Sequence, residues 1–475
     1  MPEPLRIGFL GAARTVTGSR HHITWGKSSW LYDCGLYQGH RDEAEAVNRT
    51  FQFDPASLDG VVISHAHLDH TGNLPTLVAQ GFAGPIDITA PSADLSRVML
   101  PDSAHLMEKD VDHVNRHRNG RPDQASRWVP RTALYNLADV TSTLERFRTH
   151  RYDEPFTPFP GVTATYHDAG HILGSAMTTF TFERNGRSFR LLMGGDLGRA
   201  HRAILRDPVV PPGPDALVLE STYGDRVHAD DATTERQLID AVRRTADRGG
   251  RVVVPAFAVG RTQELVAVLH RLIGQGAIPD LPLYVDSPMA REATGVFRRH
   301  PECFDDETKK MFANGGGAPF GFDRLRYVTT PDESRSLNDL TEPCIIISAS
   351  GMCEGGRILH HLQHALGNDH NTVLFVGFQG QGTLGRRLRD GAETVNVFGE
   401  PVRVRAEIVA LDGFSAHADQ HELLSWVGRL DPAPRTVFIV HGEPEPAETL
   451  AGLLREKTTA TVHVPEKGQE FDLWT

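Results

Sequence analysis

Val61-Val62-Ile63-Ser64-His65-Ala66-His67-Leu68-Asp69-His70 gathers three imidazoles and one carboxylate within six residues, behind a short apolar run. The β-branched run reads as a buried strand. The turn signal Thr71-Gly72-Asn73 follows, ahead of a helix predicted over 74–79. Residues 65–70 then fall on a strand-to-helix loop. Neutral imidazole nitrogen and carboxylate oxygen together are the mixture that zinc accepts at about 2.0–2.2 Å. An isolated histidine is usually a hydrogen-bonded core or surface residue, whereas this density points to a cation.

Upstream, segments 6–11, 21–25 and 29–33 predict an antiparallel opening. Asp33 ends the third, just before Cys34-Gly35. There it suits either a partner that orients a histidine ligand or a plain turn. Downstream come a strand over 86–89 and a helix over 93–109. Then follows a basic island of Arg116, Arg118, Arg121, Arg127 and Arg131, readable as a polyanion contact or a solvated surface. A strand over 161–168 leads into His167-Asp168-Ala169-Gly170-His171. His171 is the candidate further nitrogen ligand ahead of His167, which falls inside the strand. Strands 178–183 and 188–193 form a hairpin across Asn185-Gly186 and deliver Gly194-Gly195-Asp196, a metal-bridging carboxylate or an ordinary turn.

A Pro-rich connector over 207–214 marks a change of rhythm. Beyond it, strands 217–220, 251–255, 283–286, 344–348 and 372–376 alternate with helices 234–245, 261–273, 289–300, 357–366 and 383–389. That order predicts a parallel sheet with helices on both faces. The turn Ser348-Ala349-Ser350-Gly351-Met352 precedes a helix, so its N–H groups are candidates to hold a phosphate, or it is a tight turn only. A strand over 403–411 precedes Phe414-Ser415-Ala416-His417-Ala418-Asp419, and a buried strand over 436–440 ends in His441-Gly442-Glu443.

A chain of 475 residues exceeds what one core usually holds, so two domains are expected. A net charge of −12 argues against non-specific coating of nucleic acid but leaves room for a local groove. No apolar run approaches the roughly 18 residues of a membrane span, and the opening residues lack a signal pattern. The expectation is a cytoplasmic protein without a membrane partner. Cys34, Cys303, Cys344 and Cys353 form no CxxC pattern and are expected to be reduced.

Asp33, His65-Ala66-His67-Leu68-Asp69-His70, His171 and Asp196, in this order, resemble the motifs of the metallo-β-lactamase superfamily. Glu220 in Leu217-Val218-Leu219-Glu220-Ser221-Thr222-Tyr223-Gly224, His417 and His441 resemble the three further motifs of the β-CASP nucleases. The closest look is to bacterial and archaeal homologues of the 73-kDa subunit of the cleavage and polyadenylation specificity factor. The resemblance implies an α/β protein: a four-layer αββα metallo-β-lactamase fold over 1–210 and 400–475, split by an inserted doubly wound β-CASP domain over 211–399. It implies two Zn2+, with Mn2+ as an alternative. His65, His67 and His171 would bind one ion, Asp69, His70 and His441 the other, and Asp196 would bridge them, with Asp33 in support. Asp69, Glu220 and His417 would be catalytic. Ser348, Ser350, Gly351 and Met352 are the candidates for RNA phosphate. A histidine at the His441 position marks the RNA-acting branch, so the expected activity is endonucleolytic RNA cleavage in RNA processing or decay, leaving 5′-phosphate and 3′-hydroxyl ends. The alternatives are a 5′-3′ exonuclease and a non-catalytic RNA-binding scaffold. Oligomeric state stays open, a homodimer being one arrangement the sequence allows.

Overall fold

The structure is a computed structural model, which describes residues 4–39, 41–118, 131–313, 320–377 and 379–474. The chain divides into two compact units. The first comprises Met1–Arg199, Asp207–Val227 and His417–Thr475, and the second Ala200–Arg206 and His228–Ala416.

In the first unit, β1 (Leu5–Gly11), β2 (Arg20–Trp25) and β3 (Ser28–Tyr32) pair antiparallel as expected. β4 (Gly60–Val62), β5 (Ile86–Thr89) and β6 (Phe147–His150) extend that sheet in parallel. The chain then lays down β7 (Phe156–Phe159), β8 (Val162–Asp168), β9 (Ala176–Arg184) and β10 (Arg187–Met193) as an antiparallel run. To this run β11 (Ala216–Glu220) adds in parallel.

In the second unit, β12 (Arg251–Pro255), β13 (Leu283–Asp286), β14 (Leu325–Tyr327), β15 (Cys344–Ser348) and β16 (Thr372–Phe375) form a parallel sheet. A small hairpin of β17 (Thr394–Val397) and β18 (Glu400–Arg403) follows, and β19 (Glu407–Ala410) takes the edge beside β16. The order is β14-β13-β15-β12-β16-β19. Back in the first unit, β20 (Thr436–Val440) and β21 (Thr461–His463) complete the second sheet, and β22 (Gln469–Trp474) pairs with β1 in the first.

Strand alternation explains the layering. Leu191, Met193, Ala216, Val218, Phe438 and Val440 enter the core shared with Ile7, Phe9 and Trp30 of the facing sheet. Their neighbours Leu192, Leu217, Leu219, Val437 and Ile439 turn the other way, onto Trp426 and Leu450 of the helices Gln420–Val427 and Pro444–Lys457. On the first sheet, Val62 faces the shared core while Val61 and Ile63 meet Leu74 and Leu77 of the helix Leu74–Ala79. Period-two burial on both sheets therefore gives helix, sheet, sheet, helix. The second unit works the same way: Val252 and Val254 pack on Leu238 and Leu265, whereas Val253 packs on Ile358 and Leu362. Helices thus cover both faces of its parallel sheet.

Three expectations need correction. The change of unit expected at 211 falls at 228, because β11 pairs with β10 and β20 inside the first unit. The return expected at 400 falls at 417, because β19 pairs with β16 in the second. The single strand expected over 403–411 breaks at 404–406. Val404 N–H bonds to Glu393 O, and the N–H groups of Arg405 and Ala406 both bond to Leu366 O, so the chain leaves the ladder there. The helix expected over 93–109 runs longer, Ala90–Arg118, and carries Arg116. In the basic island, Arg131 is paired with Asp42 at 2.9 Å and Glu45 at 3.4 Å, and Arg121 and Arg127 lie outside the described residues. Among the described residues no helix is long and apolar enough to cross a membrane.

Candidate metal centre

The histidine motif is positioned by the loop after β4. Ser64 N–H bonds to Asp33 Oδ1 at 2.8 Å, and the chain then turns into a short helix, Leu68–Thr71, so that Asp69 and His70 sit in a helical turn rather than in the loop expected. The segment after β3 zips against this turn through Cys34 N–H to His70 O and Leu36 N–H to Leu68 O, both 2.8 Å. Gly35 permits that approach, since a Cβ there would stand 1.5 Å from Asp69 O.

Two donor groups converge. In one, His65 Nε2 lies 3.1 Å from His67 Nδ1, His171 Nε2 lies 3.3 Å from His67 Nδ1, and Asp196 Oδ2 stands 3.4 Å from His65 and 3.5 Å from His171. In the other, His70 Nε2 is 3.1 Å from His441 Nε2. Asp69 Oδ2 is 3.5 Å from His441, and Asp196 Oδ1 is 3.3 Å from His70 and 3.5 Å from His441. Asp196 thus presents one oxygen to each group. His167 stays outside both, engaged by Asp153 and Thr179.

These spacings fit a cation. Ligands about 2.0–2.1 Å from a tetrahedral ion stand about 3.3–3.4 Å from one another. Nitrogens facing nitrogens cannot all be satisfied by hydrogen bonds, and Asp196 Oδ1, buried, has no hydrogen-bond partner. For His65, His70 and His441 the outer nitrogen is fixed so that the inner one carries a lone pair, whereas His171 Nδ1 is buried without a hydrogen bond. Ser64 Oγ donates to Asp33 Oδ2 and accepts from His65 Nδ1–H; His70 Nδ1–H donates to Asp33 Oδ2 at 2.7 Å; Thr222 Oγ1 donates to His441 O and accepts from His441 Nδ1–H at 3.1 Å. Ser64 and Thr222 were missed in the sequence. Ser64 was readable as the residue before the first histidine, whereas Thr222, though inside the motif after Glu220, carried nothing local to mark its hydroxyl as a partner of His441.

Charge points the same way. Burial first, then neighbouring imidazoles, hold His65 and His171 well below the usual histidine range, and burial lowers His67 to about 4. All three are neutral at pH 7, the form in which an imidazole can bind a metal ion. Burial would also lower His70, but Asp196, Asp33 and Asp69 outweigh it and push it up. Three carboxylates around one imidazole call for positive charge, which a proton or a metal ion can supply in competition.

Beside these groups stands a pair of another kind. His417 Nδ1–H donates to both Glu220 oxygens at 3.0 and 3.1 Å, and buried Glu220 also accepts from Leu197 N–H and Thr222 N–H. His417 Nδ1 lies 3.9 Å from Asp196 Oδ2, and the side chain is 18% exposed. Burial opposes its charge, yet Glu220 and then Asp196 raise it to about 9. Asp196, Glu220 and His417 also cluster closely enough to hold an ion, but here the contacts are hydrogen bonds already made.

The phosphate candidates lie apart in sequence, in the second unit. Ser348 is buried and its hydroxyl donates to Asp286 O. Ser350 Oγ accepts from Glu354 N–H, Gly351 O from Gln379, and Met352 O from Gly385 N–H. Ser348 therefore braces the turn from below; Gly351 is buried as well, and of these residues only Ser350 and Met352 are partly exposed.

Residues 26–115 match the metallo-β-lactamase superfamily, 262–388 the Beta-Casp domain, and 401–465 the Zn-dependent metallo-hydrolase RNA specificity domain. Ribonuclease TTHA0252 of Thermus thermophilus is 36% identical over 95% of this chain and 96% of its own length. Transcription termination factor FttA of Methanocaldococcus jannaschii is 31% identical over 97% of this chain and 70% of its own, and that of Pyrococcus abyssi is 32% identical with the same coverage. A crystal structure of a protein of unknown function from Enterococcus faecalis V583 shares the fold, with a TM-score of 0.56 at 12% identity over 99% of this chain and all of that one. With the αββα layers, the inserted parallel sheet and the convergent histidines in place, 36% identity over nearly the whole of both this chain and the ribonuclease means that the chain belongs to the β-CASP family of the metallo-β-lactamase superfamily.

Proposed function

We propose that this chain is a metal-dependent ribonuclease that cuts cytoplasmic RNA internally, leaving 5′-phosphate and 3′-hydroxyl ends. One observation carries the reading: two nitrogen-rich donor groups share Asp196, with a hydrogen-bonded Glu220–His417 pair alongside. The name of the 36% identical relative, a ribonuclease, supports the substrate class. In this reading His65, His67 and His171 hold one Zn2+ and Asp69, His70 and His441 the other, with Asp196 common to both and Mn2+ an alternative occupant.

The chemistry that such cations contribute is Lewis-acid polarisation of a phosphoryl oxygen and a lowered pKa for water. The protein's own groups do the rest. Burial would raise the Asp69 carboxyl, but His70 and His441 keep it ionised; its place in the second donor group assigns it the proton of the attacking water. As the water oxygen bonds to phosphorus, the bond to the 3′ oxygen breaks. His417, charged at neutral pH and held through Nδ1 by Glu220, donates its other proton to that oxygen. Ser350, Gly351 and Met352 are assigned a flanking phosphate; unchanged RNA affinity in Ser350→Phe would remove that assignment.

The test is product sizing on one RNA labelled at either end, with and without chelator, beside single-stranded DNA and a thioester. Chelator-sensitive internal RNA fragments are expected. Mononucleotides released first from the 5′-labelled RNA would instead indicate an exonuclease, and RNA binding with no cleavage in zinc or manganese would overturn the enzymatic reading.

A further inference from the structure

The second unit carries an exposed aromatic ring at the edge where open parallel sheets take their ligands. β12 and β15 are neighbours, with Pro255 opposite Ser348 at their last residues. The helix after β12, Arg261–Gly274, packs Leu265 and Leu269 on the face of Val252 and Val254, whereas the helix after β15, Ile358–Ala365, packs Ile358 and Leu362 on the face of Val253. The chain therefore leaves these two adjacent strands toward opposite faces. The loops that follow them must part, and a crevice beyond the carboxyl ends of strands at such a point is where this kind of sheet binds.

Phe257 follows β12 there, and the turn Ser350-Gly351-Met352 follows β15. The ring is 41% exposed although Ala256 and Ala258 on either side are buried, and no other ring or cation stacks on it among the described residues. A single exposed phenylalanine is ordinary in itself. This one is held in place. Ala256 N–H donates to Ser348 O at 3.0 Å and Thr262 Oγ1 donates to Phe257 O at 2.8 Å, which fixes the backbone on both sides of the ring. Across from it Gly351 offers no side chain: a Cβ there would stand 2.9 Å from ring Cδ2 and 3.0 Å from Phe257 N. Glycine at this position lets the ring lie against the turn and leaves the rest of it to solvent. The nearby acid of the turn, Glu354, is engaged by the next helix, its Oε1 accepting from Leu384 N–H at 2.6 Å. An aromatic side chain already ordered, beside a turn that suits a phosphate, is a surface on which a nucleobase stacks at little further cost in freedom.

We infer that Phe257 is the stacking platform for one base of the RNA whose flanking phosphate is assigned to the 350–352 turn, a placement that rests on the proposed RNA reading. Fluorescence anisotropy with labelled oligoadenylate and oligouridylate tests it on the full chain, in an Asp196→Ala background so that the probes stay whole. Phe257→Leu and Phe257→Trp are compared with that parent, and a labelled heparin fragment serves as a polyanion without bases. Phe257→Leu should weaken oligoadenylate about tenfold, the scale of one lost stack. Oligouridylate should lose less, because the smaller base overlaps the ring less, and heparin should bind as before. Phe257→Trp, which keeps an aromatic face, should keep the affinity of the parent. Unchanged oligoadenylate binding in Phe257→Leu overturns the platform alone and leaves the ribonuclease standing. A loss of heparin binding as large as that of RNA, or a loss in Phe257→Trp equal to that in Phe257→Leu, overturns it as well, since the ring would then only shape the turn. If the parent binds neither RNA, the platform and the substrate reading fall together.

Discussion

Asp196 and Asp286 are both fully buried carboxylates near the ends of strands, each beside histidine, one in each unit. Asp286 is satisfied by protein alone: Arg357 Nη1 donates to Oδ1 at 2.6 Å, and Ser334 Oγ and His361 Nε2 donate to Oδ2 at 2.6 and 2.7 Å. Asp196 has imidazole nitrogens around it at 3.3 Å and beyond, and one oxygen without a hydrogen bond. Burial and nearby histidine are therefore not what distinguishes a metal site. The distinguishing feature is unspent lone pairs aimed at one another, which is tolerable only with a cation among them.

The contrast can be broken by substitution. Asp196→Ala should lower RNA cleavage by about 10⁴-fold and strip metal, read by gel assay and elemental analysis. A variant that keeps its metal would place the two carboxylates in the same class. Asp286→Ala should do the converse. It leaves the buried His361 and the mostly buried Arg357 without their counter-charge, costing about 3 kcal/mol of stability in denaturant titration, while metal content holds.

His417→Ala sharpens the picture from the side of the hydrogen-bonded pair. Cleavage should fall about 10²-fold with metal retained. Because Glu220 holds His417 in its acid form above the usual histidine range, wild-type activity should decline on the alkaline side, where that proton is lost. The variant should lack the decline. A rate unchanged by the substitution would remove the acid assignment. The smallest effect is expected from Thr222→Val, which frees His441 Nδ1 and should weaken metal binding about tenfold in a competition titration with a chromophoric chelator.

Much of this was legible in the residues because it is local. The strands now numbered β5, β12, β13, β15 and β20 have the bounds read from hydrophobic runs alone, since buried parallel strands announce themselves as apolar blocks between turns. The unit boundaries were misplaced for the opposite reason. The strand Ala216–Glu220 looks like the start of the inserted sheet, and its pairing with Arg187–Met193 on one side and Thr436–Val440, more than two hundred residues on, on the other assigns it to the first unit. The strand Gln469–Trp474 escaped notice altogether: half-exposed and polar at alternate positions, it becomes a strand by pairing with Leu5–Gly11.

The candidate donors, His65, His67, Asp69, His70, His171, Asp196 and His441, were marked by residue type and by their places at or after strand ends, and the resemblance to the metallo-β-lactamase and β-CASP motifs singled them out as a set. A strand end facing a loop leaves a side chain free to bind. Which nitrogen of His65, His70 and His441 faces inward is a different matter. It depends on Ser64, Asp33 and Thr222, brought up from separate strands and turns, and a tautomer is set by the partner in space rather than by the neighbour in sequence.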